Sequence, residues 1–281
     1  MRFVLTALLW LLTTALLAVA VPAMWAQQNI ISEQGYADLA ASAATDTQLR
    51  DAMADELTTQ IVALAADRGY GLNETLVHQV TSSYTGNAGF PGQFAQANRI
   101  LHQWEFSGDI PQANAENQWL IDIAPMVADP SVAATLGDLD LDVPDELLVP
   151  VTVPDPQLRP GRLQPVATWG PWISIGAAVL TALFALLTLA ASRSRGKGLA
   201  GLGVSALLVG AAGWAALEVA QGPIDRALDH AEGNFRRIAA EMVAHAEASL
   251  HHWLNMTLVA GVGLVVVGVV VSMLGGLRRQ E

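Results

Sequence analysis

Hydrophobic positions in this chain gather into four long, nearly uncharged runs, from about Phe3 to Trp25, Trp169 to Ala191, Leu199 to Val219 and Leu254 to Leu277. Each is long enough to cross about 30 Å of hydrocarbon at about 1.5 Å per helical residue. No charge sits deep in any of them, where one would cost about 2.5–3.5 kcal/mol. The pattern predicts transmembrane helices over 1–25, 169–191, 199–219 and 254–277. Between and after them lie a large insert (26–168), a short turn (192–198), an amphipathic segment (220–253) and a tail (278–281).

The insert has its own periodicity. Leu49, Met53, Leu57, Ile61 and Leu64 recur at three and four residues, which predicts a helix over 45–68 capped by Asp46 and ended by Gly69. A shorter helix is expected over Glu33–Ser42, a third capped by Asn73, and a fourth opened by Pro91 and running to about Phe106. The period then changes. Trp119, Ile121 and Ile123 alternate with their neighbours, and Leu147 to Val153 gives a second strand candidate with Pro150 at an edge. Four prolines in 154–165 predict a stiff linker. The expected class is therefore an α-helical membrane protein with four transmembrane helices and an α-rich α+β extracytoplasmic domain.

Charge sets the expected orientation. Arg2, Arg193, Arg195, Lys197, Arg278 and Arg279 flank the spans on one side, against the single acid Glu281. Those segments are expected to be cytoplasmic, with both termini inside and the insert outside. Trp25, Trp169, Trp172 and Trp253 suit the outer interface. The first span also carries small-residue motifs of the kind cleaved in secretory leaders. Its apolar run exceeds the usual 7–15 residues, however, and Arg2 alone supplies the preceding charge, so an uncleaved anchor is expected. The expected location is thus the bacterial cytoplasmic membrane, multi-pass.

The chain has 281 residues and a net charge of −12. Residues 27–168 hold 19 Asp and Glu against five Arg, a balance of −14. So acidic a surface argues against a nucleic-acid partner. Cysteine is absent, which removes disulfides, thiolate metal ligands and thiol nucleophiles.

The segment Pro223 to Trp253 carries an apolar stripe, Ile224, Leu228, Phe235, Ile238 and Met242. Both of its ends must meet the outer membrane face, so a break at Gly233-Asn234 into a helical hairpin is expected, or a tilted rod packed on the outer domain. Phe235, Ile238 and Met242 are the expected packing or partner-binding residues, their stripe set against that of Leu49 to Leu64 or against the helices at 73–106, so that Phe235→Ala is expected to cost about 3–5 kcal/mol, as for a buried aromatic. Glu241, His245 and His252 share this segment, and two histidines with a carboxylate are a possible zinc set. No HExxH motif or third fixed ligand accompanies them, so no metal, cofactor or catalytic residue is expected. Asp138, Asp140 and Asp142 lack the Gly and Glu that an EF-hand loop needs. His78 and His102 have apolar neighbours and are expected to be packed or hydrogen-bonded. Ala206, Gly210, Gly261 and Gly268 permit close contact between spans.

The runs Tyr36 to Ala40, Asp46 to Thr58, Leu101-His102 with Ser107-Gly108-Asp109, Trp119 to Met126 and the basic turn before Gly201-Leu202-Gly203 resemble a group of actinobacterial four-span integral membrane proteins. That group has no established activity. The resemblance implies architecture and envelope location, and it carries over no catalytic residue. The expected function is that of a non-enzymatic accessory or scaffold subunit, binding a protein partner through its acidic outer domain. The alternative is a transporter component similar in topology to the FtsX and MacB permeases. A metal-dependent envelope enzyme using His245 and His252 is the least expected reading.

Overall fold

The computed structural model describes residues 2–107, 119–122, 148–151, 161–229, 231 and 233–277. They form α1 (Arg2–Ala26, continued by a π-helical turn Gln27–Ile31), α2 (Glu33–Ala43), α3 (Thr47–Asp67), α4 (Glu74–Gly86) and α5 (Phe90–Ser107). Then come β1 (Trp119–Asp122), β2 (Leu148–Val151), α6 (Gln164–Ala191), α7 (Arg195–Leu228) and α8 (Gly233–Leu277). Four helices are long and apolar enough to cross a membrane: Phe3–Ile31, Gln164–Ala191, Arg195–Leu228 and Gly233–Leu274.

The two strands pair antiparallel with Trp119 opposite Val151 and Asp122 opposite Leu148. They fall inside the two stretches whose alternation predicts them. Leu120 faces Pro150, which a two-stranded ribbon tolerates because both strands are edges. Four residues a side do not make a sheet layer, and every longer element among the described residues is a helix. The α+β class expected for the insert is therefore not supported. The strand signals are local, and two short strands cannot supply a face broad enough to cover helices.

The chain divides into two compact units, one of Met1–Ile31, Thr168–Asp225 and Ala246–Glu281, the other of Ser32–Ala167 and Arg226–His245. In the first unit α7 and α8 meet along a glycine seam. Gly196, Gly203 and Gly210 recur every seven residues on α7, as do Gly261 and Gly268 on α8. A seven-residue repeat keeps one seam turned toward its partner along a left-handed crossing. A Cβ on Gly203 would stand 2.6 Å from the Gly261 carbonyl oxygen, and one on Gly196 2.5 Å from that of Gly268. Backbone thus lies against backbone, the contact that small residues permit between membrane helices.

In the second unit α2 packs with α5 and α3 with α4. The starts of α2, α3 and α4 are each capped by a side chain of the type that favours that position. The Asp46 carboxylate accepts from Gln48 N–H at 2.7 Å, Asn73 Oδ1 accepts from Leu76 N–H at 3.2 Å, and Ser32 Oγ accepts from Gly35 N–H at 3.3 Å. The core gathers Ala40, Ala43, Ala44, Leu49, Tyr84, Phe90 and Phe94, with Met53, Leu57, Ile238 and Met242 packed against it. Tyr84 meets Phe90 edge-on at a ring separation of 5.6 Å.

The helical run from α7 breaks just where Gly233 offers a left-handed backbone, at φ +59. The hairpin alternative for residues 223–253 is the one observed, with Ala231 N–H donating to Leu228 C=O at 3.0 Å at the turn. The stripe on the second arm is only half covered. Ile238 and Met242 reach the core of the second unit, whereas Phe235 is 55 % exposed. Phe235 lies about one turn beyond the reach of that core, so the expected cost of Phe235→Ala as a buried aromatic does not apply. Likewise on α3, Leu49 is buried and Met53 and Leu57 pack against the core, while Ile61 and Leu64 are exposed.

Candidate functional site

Three arrangements in the described residues bring chemistry-bearing side chains together. The first is centred on Asp55 of α3. Its Oδ1 lies 3.1 Å from His78 Nε2 of α4, and its Oδ2 accepts from Arg237 Nη1 of α8 at 2.6 Å. One carboxylate therefore ties three helices of the second unit. All three side chains remain well exposed, so the cluster is a solvated clamp.

The second lies between α2 and α5. His102 is buried, stacked on Phe106 at a ring separation of 4.1 Å and set against Tyr36 at 5.5 Å. Three residues along α5 from His102 stands Glu105. Burial raises the Glu105 carboxyl above its ordinary value. Burial, and then the charge of Glu105, raise the Tyr36 phenol. The backbone carbonyls of Trp104 and Glu105 accept from Gly161 and Leu163 N–H, both at 3.0 Å, so the chain returning toward α6 closes over this end of α5. Helical spacing signals that His102 is packed. Nothing in the spacing signals its partners, because Tyr36 comes from a helix 66 residues earlier.

The third is in the first unit. Helix α1 is bonded to three neighbours, α6, α7 and α8. Thr6 Oγ1 donates to Ala191 C=O of α6 at 3.3 Å, and Thr13 and Thr188 hydroxyls meet at 3.3 Å. Trp10 Nε1 donates to Gly201 C=O of α7 at 2.8 Å, and Thr14 and Ser205 hydroxyls meet at 2.7 Å. Such hydrogen bonds hold membrane helices together at about 0.6 kcal/mol each on average. Beside this ladder is a partly open cavity of about 430 Å³ to which α1, α6, α7 and α8 all contribute. The sequence marks glycine and alanine for helix contact. It gives no comparable sign for these hydroxyls, which are scattered among many apolar residues. The last turn of α1 and the segment 27–31 add a further polar group, which reaches α8. Trp25 Nε1 donates to Ser249 Oγ at 3.1 Å, and Asn29 Nδ2 to Trp25 C=O at 2.9 Å.

The remaining candidates from the sequence do not converge. His245 Nδ1 lies 3.2 Å from the backbone carbonyl of Glu241, one turn back on its own helix. His252 is exposed, and no group of three His, Asp or Glu poised for a metal exists among the described residues. Asp138, Asp140 and Asp142 lie outside the described residues, as do Arg278 and Arg279. His251 stacks on Trp214 at 3.9 Å, and Trp214 Nε1 donates to Asn255 Oδ1 at 3.2 Å.

Comparison with protein-family models, with characterised proteins and with solved structures finds no match to this chain.

Proposed function

We propose that this protein is a multi-pass envelope protein acting as a non-enzymatic accessory or scaffold subunit, whose acidic helical unit faces outward and docks a protein partner. The observation that carries this reading lies at one end of the α3–α4 pair. Ile61, Leu64, Tyr70, Leu72 and Leu76 are all exposed, at 41 to 67 %, within sixteen residues of chain. Asp67, Arg68 and Glu74 stand among them. Large apolar side chains exposed together and edged by charge are the usual mark of a protein-binding surface. The charge balance of −14 over residues 27–168 favours a partner with a basic rim.

Further support comes from the way the first turns of α8 are fixed within the second unit, through Ile238, Met242 and the Asp55 clamp, which suits presentation of a rigid surface. The bonding of α1 to α6 and α7 supports the reading of the first span as a retained anchor. The likeness to the actinobacterial four-span group is in keeping with an envelope role. The transporter alternative gains nothing from the connection of α6 to α7, where only Ser192 to Ser194 separate the helices and leave no room for an ATPase-coupling helix.

The test is co-purification from gently solubilised membranes. A stoichiometric partner should accompany the unaltered chain and be lost from the Leu64→Asp, Leu76→Asp double variant. Recovery of monomer alone from the unaltered chain would defeat the proposal.

A further inference from the structure

The cavity in the first unit is lined by the hydroxyl-bearing residues Thr13, Thr181, Ser205 and Thr257 and by apolar side chains, with Ala185 and Ala260 leaving much of the space. Its hydroxyls are already satisfied. Thr13 donates to Leu9 C=O, Thr181 to Ala177 C=O and Thr257 to Trp253 C=O, each one turn back, while Ser205 is bonded to Thr14. The walls therefore present mainly methyl and methylene groups, and a polar ligand would lose more hydration there than it could recover. Water is equally ill suited, since it needs two to four polar partners.

Volume decides among apolar occupants. A helix about 10 Å across needs about 420 Å³ for each turn. The 430 Å³ available would take a single turn, too little to enclose a fifth membrane helix, which needs several turns to cross. At about 30 Å³ per water-sized group, the same space holds about 14 such groups in a file. That is the bulk of one long hydrocarbon chain. The four helices that line the space are the four long and apolar enough to cross a membrane, so it lies among their apolar stretches, at the depth of the hydrocarbon. On α8 the lining runs from Trp253 to Leu264, about 16 Å of rise at about 1.5 Å per residue.

We infer that this cavity is a specific lipid site that seats one fatty acyl chain of a membrane phospholipid between the spans. The chain completes the packing of the bundle where Ala185 and Ala260 leave it unfilled. It is a lodged ligand, distinct from the lipid that bathes the outer surfaces of α6 and α8.

The test uses the full chain in vesicles of phosphatidylcholine and phosphatidylglycerol, doped with phosphatidylcholine carrying a diazirine on one acyl chain. After photolysis, adducts are mapped by mass spectrometry. Labelling of the lining residues Leu202 and Leu264 should exceed that of the outward-facing Val259 and Val266 by about tenfold, as for a site favoured by about 1.4 kcal/mol. Ala260→Trp, which fills the cavity, should abolish the excess, and Val259→Trp should leave it intact. Ala185→Leu, a gentler filling of the same space, is read in parallel, so that misfolding of the first variant leaves the second to decide. Equal labelling of lining and outward positions, or an excess that survives both fillings, would overturn the inference. An intact phospholipid adduct mass supports it, and labelling only by an added diazirine fatty acid would overturn the phospholipid assignment.

Discussion

Arg237 Nη1 donates to Asp55 Oδ2 at 2.6 Å, tying α8 to α3 across 182 residues of sequence. Further along α8, Ile238 and Met242 pack against the core of the same unit. The two kinds of tie should differ in strength. Asp55 and Arg237 are 37 and 51 % exposed, so Asp55→Asn should cost about 0.2–1 kcal/mol and lose most of that at high salt. Met242→Ala should cost about 2 kcal/mol or more by leaving a gap. Phe235→Ala, on the same arm but exposed, should stay within about 0.5 kcal/mol. Thermal unfolding of the three variants in one detergent gives the ranking. Phe235→Ala as the most damaging of the three would refute this packing.

The glycine seam makes a second prediction. Gly203→Leu places carbon where the Gly261 carbonyl stands and should destabilise the bundle by about 1–3 kcal/mol or prevent its assembly. Gly263 sits on the same α8 with nothing within 4 Å of the place a methyl group would take, so Gly263→Ala should be neutral or slightly stabilising. Unfolding of both variants in mixed micelles compares them directly. Equal damage from the two would show that the seam is not the contact that matters.

Much of the helical layout is legible in the sequence because its signals are local. Asp46, Asn73 and Ser32 cap helices through atoms two or three residues away, and Gly233 opens α8 by its own backbone freedom. The glycine seam is half legible. Gly210, Gly261 and Gly268 stand out in their spans, but Gly203 and Gly196 gain their role only from what stands opposite. The strands at 119–122 and 148–151 are legible as strands, while the class inferred from them is not, since no pattern reveals how small a ribbon will be. Least legible are the tertiary pairings. The hydrogen bonds of Thr14 with Ser205 and of Trp10 with Gly201 span 191 residues each, and Thr is too common in apolar runs to draw attention. The stripe on α8 misleads at Phe235 because periodicity gives a face but not where the covering partner ends.

Glu105 gives a pH prediction. Its carboxyl is raised from its ordinary value of 4.5 by burial, so the folded unit holds that proton more tightly than the unfolded chain does. The contribution to stability is then fully present below about 4.5 and is lost as pH rises through the folded value. Glu105→Gln removes the charge that burial penalises. Helices α2 and α5 of the variant should gain amide protection relative to the unaltered chain above that range and none below it. The Tyr36 phenol, raised by burial and then by Glu105, should move back toward its ordinary value in the same variant. A protection difference that does not change with pH would contradict this assignment.

A docking role for the acidic unit depends on its standing outside the membrane. Arg195 and Lys197 sit in the first turn of α7, where basic residues oppose the helix dipole, so their position favours a topological role. The chain contains no cysteine, so single cysteines can be placed without background. Ser83→Cys, on α4, and Ser194→Cys, between α6 and α7, should be treated on intact cells with a membrane-impermeant maleimide. The expected result is labelling at position 83 and protection at position 194 until the membrane is opened. Labelling at 194 with protection at 83 would place the acidic unit in the cytoplasm and contradict the proposed function.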